Sequence, residues 1–180
     1  MAGNVETSSR IADCLLRAFG QVTETPAQGQ GTMNNLTFGS PRFTYYETIG
    51  GGQGGSAAGP GPSAVHVAMS NTLNTPIEAL ETAYPLRVER YALRAGSGGA
   101  GRHPGGDGVV RAITALVPCQ ASILSDRRRH PPRGANGGED GAPGSNRLNR
   151  RALGPKARVA LEPGDTITIR TPGGGGYGSP

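Results

Sequence analysis

Glycine-rich segments interrupt this chain at short intervals, and they limit its fold more than any other sequence feature. The chain has 31 Gly and 15 Pro among 180 residues, with no repeat of fixed period. Glycine and proline interrupt helices and strands, so the regular elements have to be short. Large aliphatic and aromatic residues are few and Trp is absent, so the hydrophobic core has to be small. We therefore expect an ordered chain that needs other protein around it.

Periodic patterns between the Gly-rich segments predict two helices. The apolar residues of 6–19 recur with helical spacing, which predicts an amphipathic helix that ends at Gly20. A second, short helix is predicted over Pro76–Tyr84, with Thr75 as its N-terminal cap. Residues 21–41 are rich in turn-forming residues and are expected to form no regular element.

Strands are predicted mainly in the second half of the chain. The stretch that begins at Leu86 is expected to contain a bulge near Arg90. Pro163 and Gly164 form the centre of a four-residue turn that is typical of a hairpin. Patterns rich in β-branched and aromatic residues lie at Arg42–Ile49, Leu86–Leu93, Val109–Val117, Cys119–Leu124, Ala157–Leu161 and Thr166–Thr171.

The expected fold class is α+β, with one N-terminal amphipathic helix, a short second helix and a β-rich C-terminal half, joined by Gly-rich loops. We interpret 1–180 as a single segment. It comprises a helix and polar-motif region at 1–83 and a basic, β-rich region at 84–180. The first region has a net charge of −3 and the second a net charge of +8. Nearly all the positive charges of the second region come from Arg. Arginine binds carboxylates and phosphates in bidentate fashion, so we expect an anionic ligand or an acidic partner surface.

Several classes of protein are disfavoured. No apolar stretch is long enough to span a membrane, and Met1–Arg10 lacks the pattern of a secretory signal, so a cytoplasmic location is expected. Cys14 and Cys119 have neither disulfide nor zinc spacing, and we expect them to be buried or half-buried thiols, with no metal site in this chain. Nucleic-acid binding through Arg127–Arg129 is the alternative, but residues 120–160 contain none of the aromatic residues typical of such surfaces.

Candidate site residues are polar side chains in segments that are otherwise poor in charge. Glu47 and His66 are candidates for acid–base catalysis if the fold brings them together. The amides of Asn34, Asn35, Asn71 and Asn74 are candidates for holding a substrate carbonyl. Each has a structural alternative, because Asn in loops commonly forms turns, Glu47 can pair with an arginine, and a lone His is more often structural.

The segment Gly173–Gly178 follows a predicted strand, as phosphate-binding loops do. However, only two residues follow it, which leaves no room for the helix that such a loop needs, and there is no Gly-Lys-Ser/Thr. Close packing of backbones is therefore the favoured role, with a ligand-facing loop as the alternative.

Seven motifs, taken in order, extend from Gly3 to Gly178 and so cover nearly the whole chain. The motifs are Gly3–Arg10, Gln30–Asn35, Tyr45–Gly52, Val65-His66 with Met69–Thr72, Tyr84-Pro85, Gly105–Gly108 and Thr171–Gly178. Together they resemble the C-terminal part of the hydantoinase B/oxoprolinase family.

The resemblance implies ATP-dependent opening of a cyclic amide. A hydantoinase A-like ATPase subunit or domain, which would bind ATP and Mg, phosphorylates the amide oxygen, and the B region hydrolyses the activated ring. It further implies an oligomeric assembly, and it places any metal ligands in the N-terminal part of the B subunit, which this chain lacks. Related carboxylase subunits act on similarly activated carbonyls.

Two departures from the family pattern affect these expectations. Family members commonly carry His-x-His, where this chain has His66-Val67-Ala68. The B subunit also normally extends several hundred residues further at its N-terminus, so we expect no complete active site in this chain alone. A truncated, non-catalytic remnant that still assembles is therefore an alternative.

Overall fold

The computed structural model describes residues 3–180 and confirms the α+β class, with two helices and nine strands. Met1 and Ala2, part of the N-terminal stretch in which a signal was considered, lie outside the described residues. No helix among residues 3–180 is long and apolar enough to cross a membrane. The elements are α1 (Gly3–Phe19), β1 (Asn35–Ser40), β2 (Phe43–Glu47), α2 (Ile77–Ala83), β3 (Leu86–Arg94), β4 (Gly108–Ala115), β5 (Cys119–Leu124), β6 (Ser145–Leu148), β7 (Arg151–Leu153), β8 (Lys156–Leu161) and β9 (Thr166–Arg170).

The strands form two antiparallel sheets that share one hydrophobic core. The first sheet has the order β2-β1-β5-β8, and the second has the order β3-β4-β9-β6-β7. Successive side chains of a strand point to opposite faces of its sheet, so every second side chain enters the core. The core residues include Leu36, Phe38 and Ile123 from the first sheet and Ile113, Ile167 and Ile169 from the second.

Most of the predicted strands are present within two residues of their expected ends, and the bulge near Arg90 is confirmed by a register shift between Val88 and Arg90. The predicted hairpin at Pro163-Gly164 is wrong. The turn forms, with the Asp165 amide donating to the Glu162 carbonyl at 3.0 Å, but β8 pairs with β5 while β9 pairs with β4 and β6. The turn therefore carries the chain from one sheet to the other.

Three strands and two local details differ from the sequence expectations. β1 occupies part of the predicted turn-rich segment 21–41, and β6 and β7 were not predicted. Thr75 does not cap the second helix, since Pro76 is the N-cap residue and no side-chain cap forms. Cys119 is buried as expected, but Cys14 is exposed, because it lies on the outer side of α1.

The Gly-rich loops pack against one another around Gly173–Gly176. A Cβ on Gly173 would lie 1.9 Å from the Ser97 carbonyl oxygen, and one on Gly176 would lie 2.1 Å from that of Ala100. Gly174 and Gly175 face two other segments. Glycines three residues apart therefore face the same neighbouring segment, which matches the three residues per turn of the polyproline II conformation. The favoured role, close backbone packing, is confirmed.

Hydrogen bonds join this central segment to its neighbours. The amides of Gly173 to Gly176 donate to the carbonyl oxygens of Ala142, Gly106, Gln28 and Glu139, in that order. The carbonyls of Gly174 to Gly176 accept from the amides of Gly99, Gly55 and Ala135, in that order. Because all four amides are occupied, they cannot also hold a phosphate.

Candidate functional site

A buried ion pair between Glu47 and Arg111 connects the two sheets. Arg111 has the same orientation on β4 as the core residues Val109 and Ile113, so its side chain enters the space between the sheets. Its Nε lies 3.0 Å from Glu47 Oε1 and its Nη2 lies 3.2 Å from Oε2. Both side chains are almost completely buried. Bidentate pairing of this kind fixes the orientation of both groups.

Three further side chains complete the surroundings of Glu47. Tyr45 donates its hydroxyl to Glu47 Oε2 at 2.8 Å, and Asn74 Nδ2 donates to the same oxygen at 3.1 Å. Burial, followed by the charge of Glu47, raises the pKa of Tyr45 to about 12, so this hydroxyl remains a donor. The Tyr91 ring lies over the Arg111 guanidinium, with Cζ 4.6 Å from the ring centroid. Both oxygens of Glu47 are therefore engaged within the protein.

His66 lies beside this cluster and is connected to it through two threonines. Its Nε2 lies 3.3 Å from the Thr72 hydroxyl, and Thr72 shares a hydrogen bond with Thr48, the neighbour of Glu47. His66 Nδ1 is buried without a hydrogen-bond partner among the described residues. Burial lowers the pKa of His66, so the imidazole is neutral at neutral pH and can accept a proton.

The four candidate asparagines fall into distinct environments. Asn74 uses its amide fully, because Nδ2 also donates to the Thr48 carbonyl and Oδ1 accepts from the Tyr91 hydroxyl. Asn35 accepts from the Tyr46 hydroxyl at 2.9 Å. Asn71 is exposed, and its side chain forms no hydrogen bond in the described part of the chain. The fourth, Asn34, belongs to a separate buried network.

This network holds the loop between α1 and β1. Asn34 is buried at a φ of 46°, donates to the Gln30 side chain at 2.7 Å, and accepts from Arg128 at 2.6 Å. Arg128 also donates to Asn146 Oδ1, and burial lowers the Arg128 pKa to about 10. Arg127 pairs with Asp13 on α1. Of Arg127–Arg129, only Arg129 is therefore left on the surface, which gives no support to a nucleic-acid interface.

The fold thus brings together Glu47, Asn74 and His66, and it places Asn34 and Asn35 at the start of the adjacent strand β1. Sequence reasoning missed Arg111, although a lone charge in the apolar run Val109–Ile113 was a usable signal. Tyr45 and Thr72 lie within two of the seven motifs but were not identified as site residues. Within residues 3–180, no group of three or more His, Cys, Asp or Glu side chains is placed to hold a metal ion.

We expect the His66 imidazole to titrate below its ordinary pKa of 6.5, which NMR of the ring protons can measure. The unfolded chain then binds a proton at His66 more readily than the folded chain does. Above pH 6.5 neither state is protonated at His66, so the full contribution of this residue to stability is present there. It is lost as the pH falls through that value towards the folded pKa. His66→Gln should remove this part of the acid sensitivity, whereas His130→Gln, at an exposed position, should not. A folded pKa at or above 6.5 would contradict the assignment.

Comparisons with known proteins identify the relatives of this chain. The family described as hydantoinase B/oxoprolinase matches residues 1–180. The chain is 49% identical to 5-oxoprolinase 1 of Arabidopsis thaliana, over 99% of this chain and 14% of that protein. It is 45% identical to an uncharacterised protein of Methanocaldococcus jannaschii, over 99% of this chain and 33% of that protein.

Among solved structures, the ATP-dependent caprolactamase from Pseudomonas jessenii superposes with a TM-score of 0.76 at 26% identity. The match covers 92% of this chain and 32% of the caprolactamase chain. This chain therefore spans a third or less of the length of these three relatives. The matched family is the one that the seven sequence motifs indicated, and the resemblance is confirmed. The chain belongs to the hydantoinase B/oxoprolinase family.

Proposed function

We propose that this chain is the C-terminal segment of an ATP-dependent cyclic-amide hydrolase of the 5-oxoprolinase or N-methylhydantoinase type. It acts on a phosphate-activated lactam or hydantoin, together with an ATPase partner and the N-terminal part of the B subunit. The observation that carries the proposal is the 49% identity to a 5-oxoprolinase along 99% of this chain. The structural likeness to a caprolactamase, which also acts on a lactam with ATP, supports it.

ATP and Mg belong to the partner in this proposal. The Gly-rich segment Gly173–Gly178 resembles a phosphate loop by composition, but the amides of Gly173–Gly176 donate to neighbouring carbonyls instead. Phosphorylation of the amide oxygen by the partner makes the ring carbon electrophilic enough for water to attack. A cytoplasmic location is part of the proposal, because the reaction consumes ATP.

We assign the chemical role in this chain to His66 and the substrate contact to Asn71. The neutral imidazole of His66 can take a proton from the attacking water, and Thr72 orients the ring from Nε2. The exposed amide of Asn71 is available to a ring oxygen. Glu47 and Asn74 hold the segment that carries both residues, since Asn74 connects that segment to the end of β2. Asn34 and Asn35 fix the adjoining strand.

A segment exchange tests the proposal. The matched region of Arabidopsis 5-oxoprolinase 1 is replaced by this chain, and ATP-dependent formation of glutamate from 5-oxoproline is measured. We expect turnover within about tenfold of the parent enzyme, since the exchanged regions are 49% identical. A folded chimera without turnover would contradict the proposal and would favour a remnant that assembles without catalysis.

The isolated chain is expected to be inactive. It holds one part of the proposed site, and its sequence has no recognisable phosphate loop, so neither ATP hydrolysis nor ring opening should exceed the rate without protein. ADP release and amino-acid formation can be measured in parallel with a caprolactam or 5-oxoproline substrate. ATP-dependent ring opening by the purified chain alone would contradict the division of labour proposed above.

A further inference from the structure

The apolar face of α1 points away from the protein. Ile11, Leu15 and Phe19 follow one another at helical spacing, and each side chain is more than half exposed. Cys14 lies on the same side of the helix, between Ile11 and Leu15, and is also exposed. We call these four residues the α1 apolar face. An isolated protein gains nothing from exposing a continuous stripe of this kind, and such stripes mark interaction sites.

The opposite side of α1 is polar and faces the rest of the chain. Glu6 Oε1 accepts hydrogen bonds from the Thr32 hydroxyl at 2.7 Å and from the Met33 amide at 3.0 Å. Asp13 pairs with Arg127, and Ser9 is buried. Rotating the helix to bury its apolar face would break these contacts and leave charges unpaired. The helix is therefore held with its apolar face outward.

A cleft separates the C-terminal half of α1 from the loop next to the candidate site. It has a volume of about 460 Å³ and lies between the end of α1 and the loop that carries His66. Leu16 lines it from the helix, while Gly29, Val67 and Ala68 line the other side. The C-terminal half of α1 therefore lies close to the segment next to His66.

The relatives indicate what covers it. In the Methanocaldococcus protein and in the caprolactamase chain, the region that matches this chain makes up only about a third of the polypeptide. We infer that the α1 apolar face binds the remaining two-thirds of a B-type polypeptide. This inference deepens the proposed function by naming the surface through which the two parts of the B subunit join.

The exposed Cys14 and the buried Cys119 provide a matched pair of reporters. This chain is co-expressed with the part of the Methanocaldococcus protein that lies outside its matched region. Alkylation of each cysteine by iodoacetamide is then followed by mass spectrometry. We expect Cys14 to react at least tenfold more slowly in the complex than in the isolated chain, with Cys119 slow in both. Leu15→Glu with Phe19→Glu should abolish co-purification, whereas Leu116→Glu, at an exposed turn, should not.

Each of the following results would overturn the inference: no complex with the unmodified chain, equal Cys14 reactivity in the complex and the isolated chain, or full binding by the double variant. A second copy of this chain is the competing occupant. It would show as concentration-dependent protection of Cys14 in the isolated chain, with a dimer in sedimentation, and it would also overturn the inference. None of these readouts uses turnover. A complex that forms, together with a folded 5-oxoprolinase 1 chimera that lacks turnover, would contradict only the proposed function.

Discussion

Gly174→Ala is expected to eliminate the folded chain. The new Cβ would lie 1.9 Å from the Gln53 carbonyl oxygen and 2.3 Å from its carbon, and both are backbone atoms that cannot rotate away. Overpacking in a dense region costs about 1–3 kcal/mol even where side chains can adjust. Here the backbone itself has to move, and three neighbouring segments share hydrogen bonds with this residue or the next. We expect insoluble protein, or a loss of cooperative thermal unfolding.

Gly154→Ala is the matched control for this prediction. The nearest atom to its Cβ would be the Lys156 carbonyl oxygen at 3.6 Å, an ordinary van der Waals contact. The stability of this variant should change by less than about 1 kcal/mol. A Gly174→Ala protein that unfolds cooperatively near the melting temperature of the unmodified chain would contradict the close packing described for the Gly-rich loops.

Glu47→Gln is expected to destabilise the chain by about 3–5 kcal/mol, because it leaves Arg111 charged and buried without its carboxylate. Arg111→Met should cost a similar amount, since it leaves Glu47 unpaired. The double variant should recover part of the loss, because it removes both charges together. Chemical denaturation of the three variants measures these differences. A loss below about 1 kcal/mol for either single variant would contradict the role of the pair.

Glu89→Gln is the surface control, since the Arg87–Glu89 pair is exposed. Exposed pairs contribute little to stability, and we expect the free energy of unfolding to change by less than about 1 kcal/mol.

In the active chimera, Glu47→Gln also distinguishes two roles for Glu47. A positioning role predicts that stability and turnover fall together. The hypothesis of a general base predicts an unchanged melting temperature, with turnover reduced by about a hundredfold or more.

The elements that could be predicted from the sequence are those with a strong local signal. β5 was predicted at its observed bounds, and α1 is three residues longer at its start than the periodicity indicated. The hairpin at Pro163-Gly164 was wrong because a turn type fixes only the local chain direction, while pairing depends on partners far away in the sequence. The packing of the Gly-rich loops has a weak sequence signal, because its contacts join backbones from many segments.

The candidate site could be predicted in part. The sequence identified Glu47 and His66, and the fold places them near each other through Thr48 and Thr72. It could not show that both oxygens of Glu47 are occupied, because Arg111 lies 64 residues further along the chain. Nor could it show which asparagine is left exposed, since hydrogen bonding in loops depends on the tertiary arrangement.

The coupling between ATP use and ring opening shows whether this chain acts at the ring-opening step. In the chimera with 5-oxoprolinase 1, this chain is proposed to act after the partner has phosphorylated the ring. His66→Ala should then lower glutamate formation by about tenfold or more, while substrate-dependent ATP hydrolysis falls much less. The amount of ATP hydrolysed per glutamate formed should therefore rise by several-fold, with an unchanged melting temperature. If ATP hydrolysis and glutamate formation fell in equal proportion, this chain would not act at the ring-opening step, and the account would be contradicted.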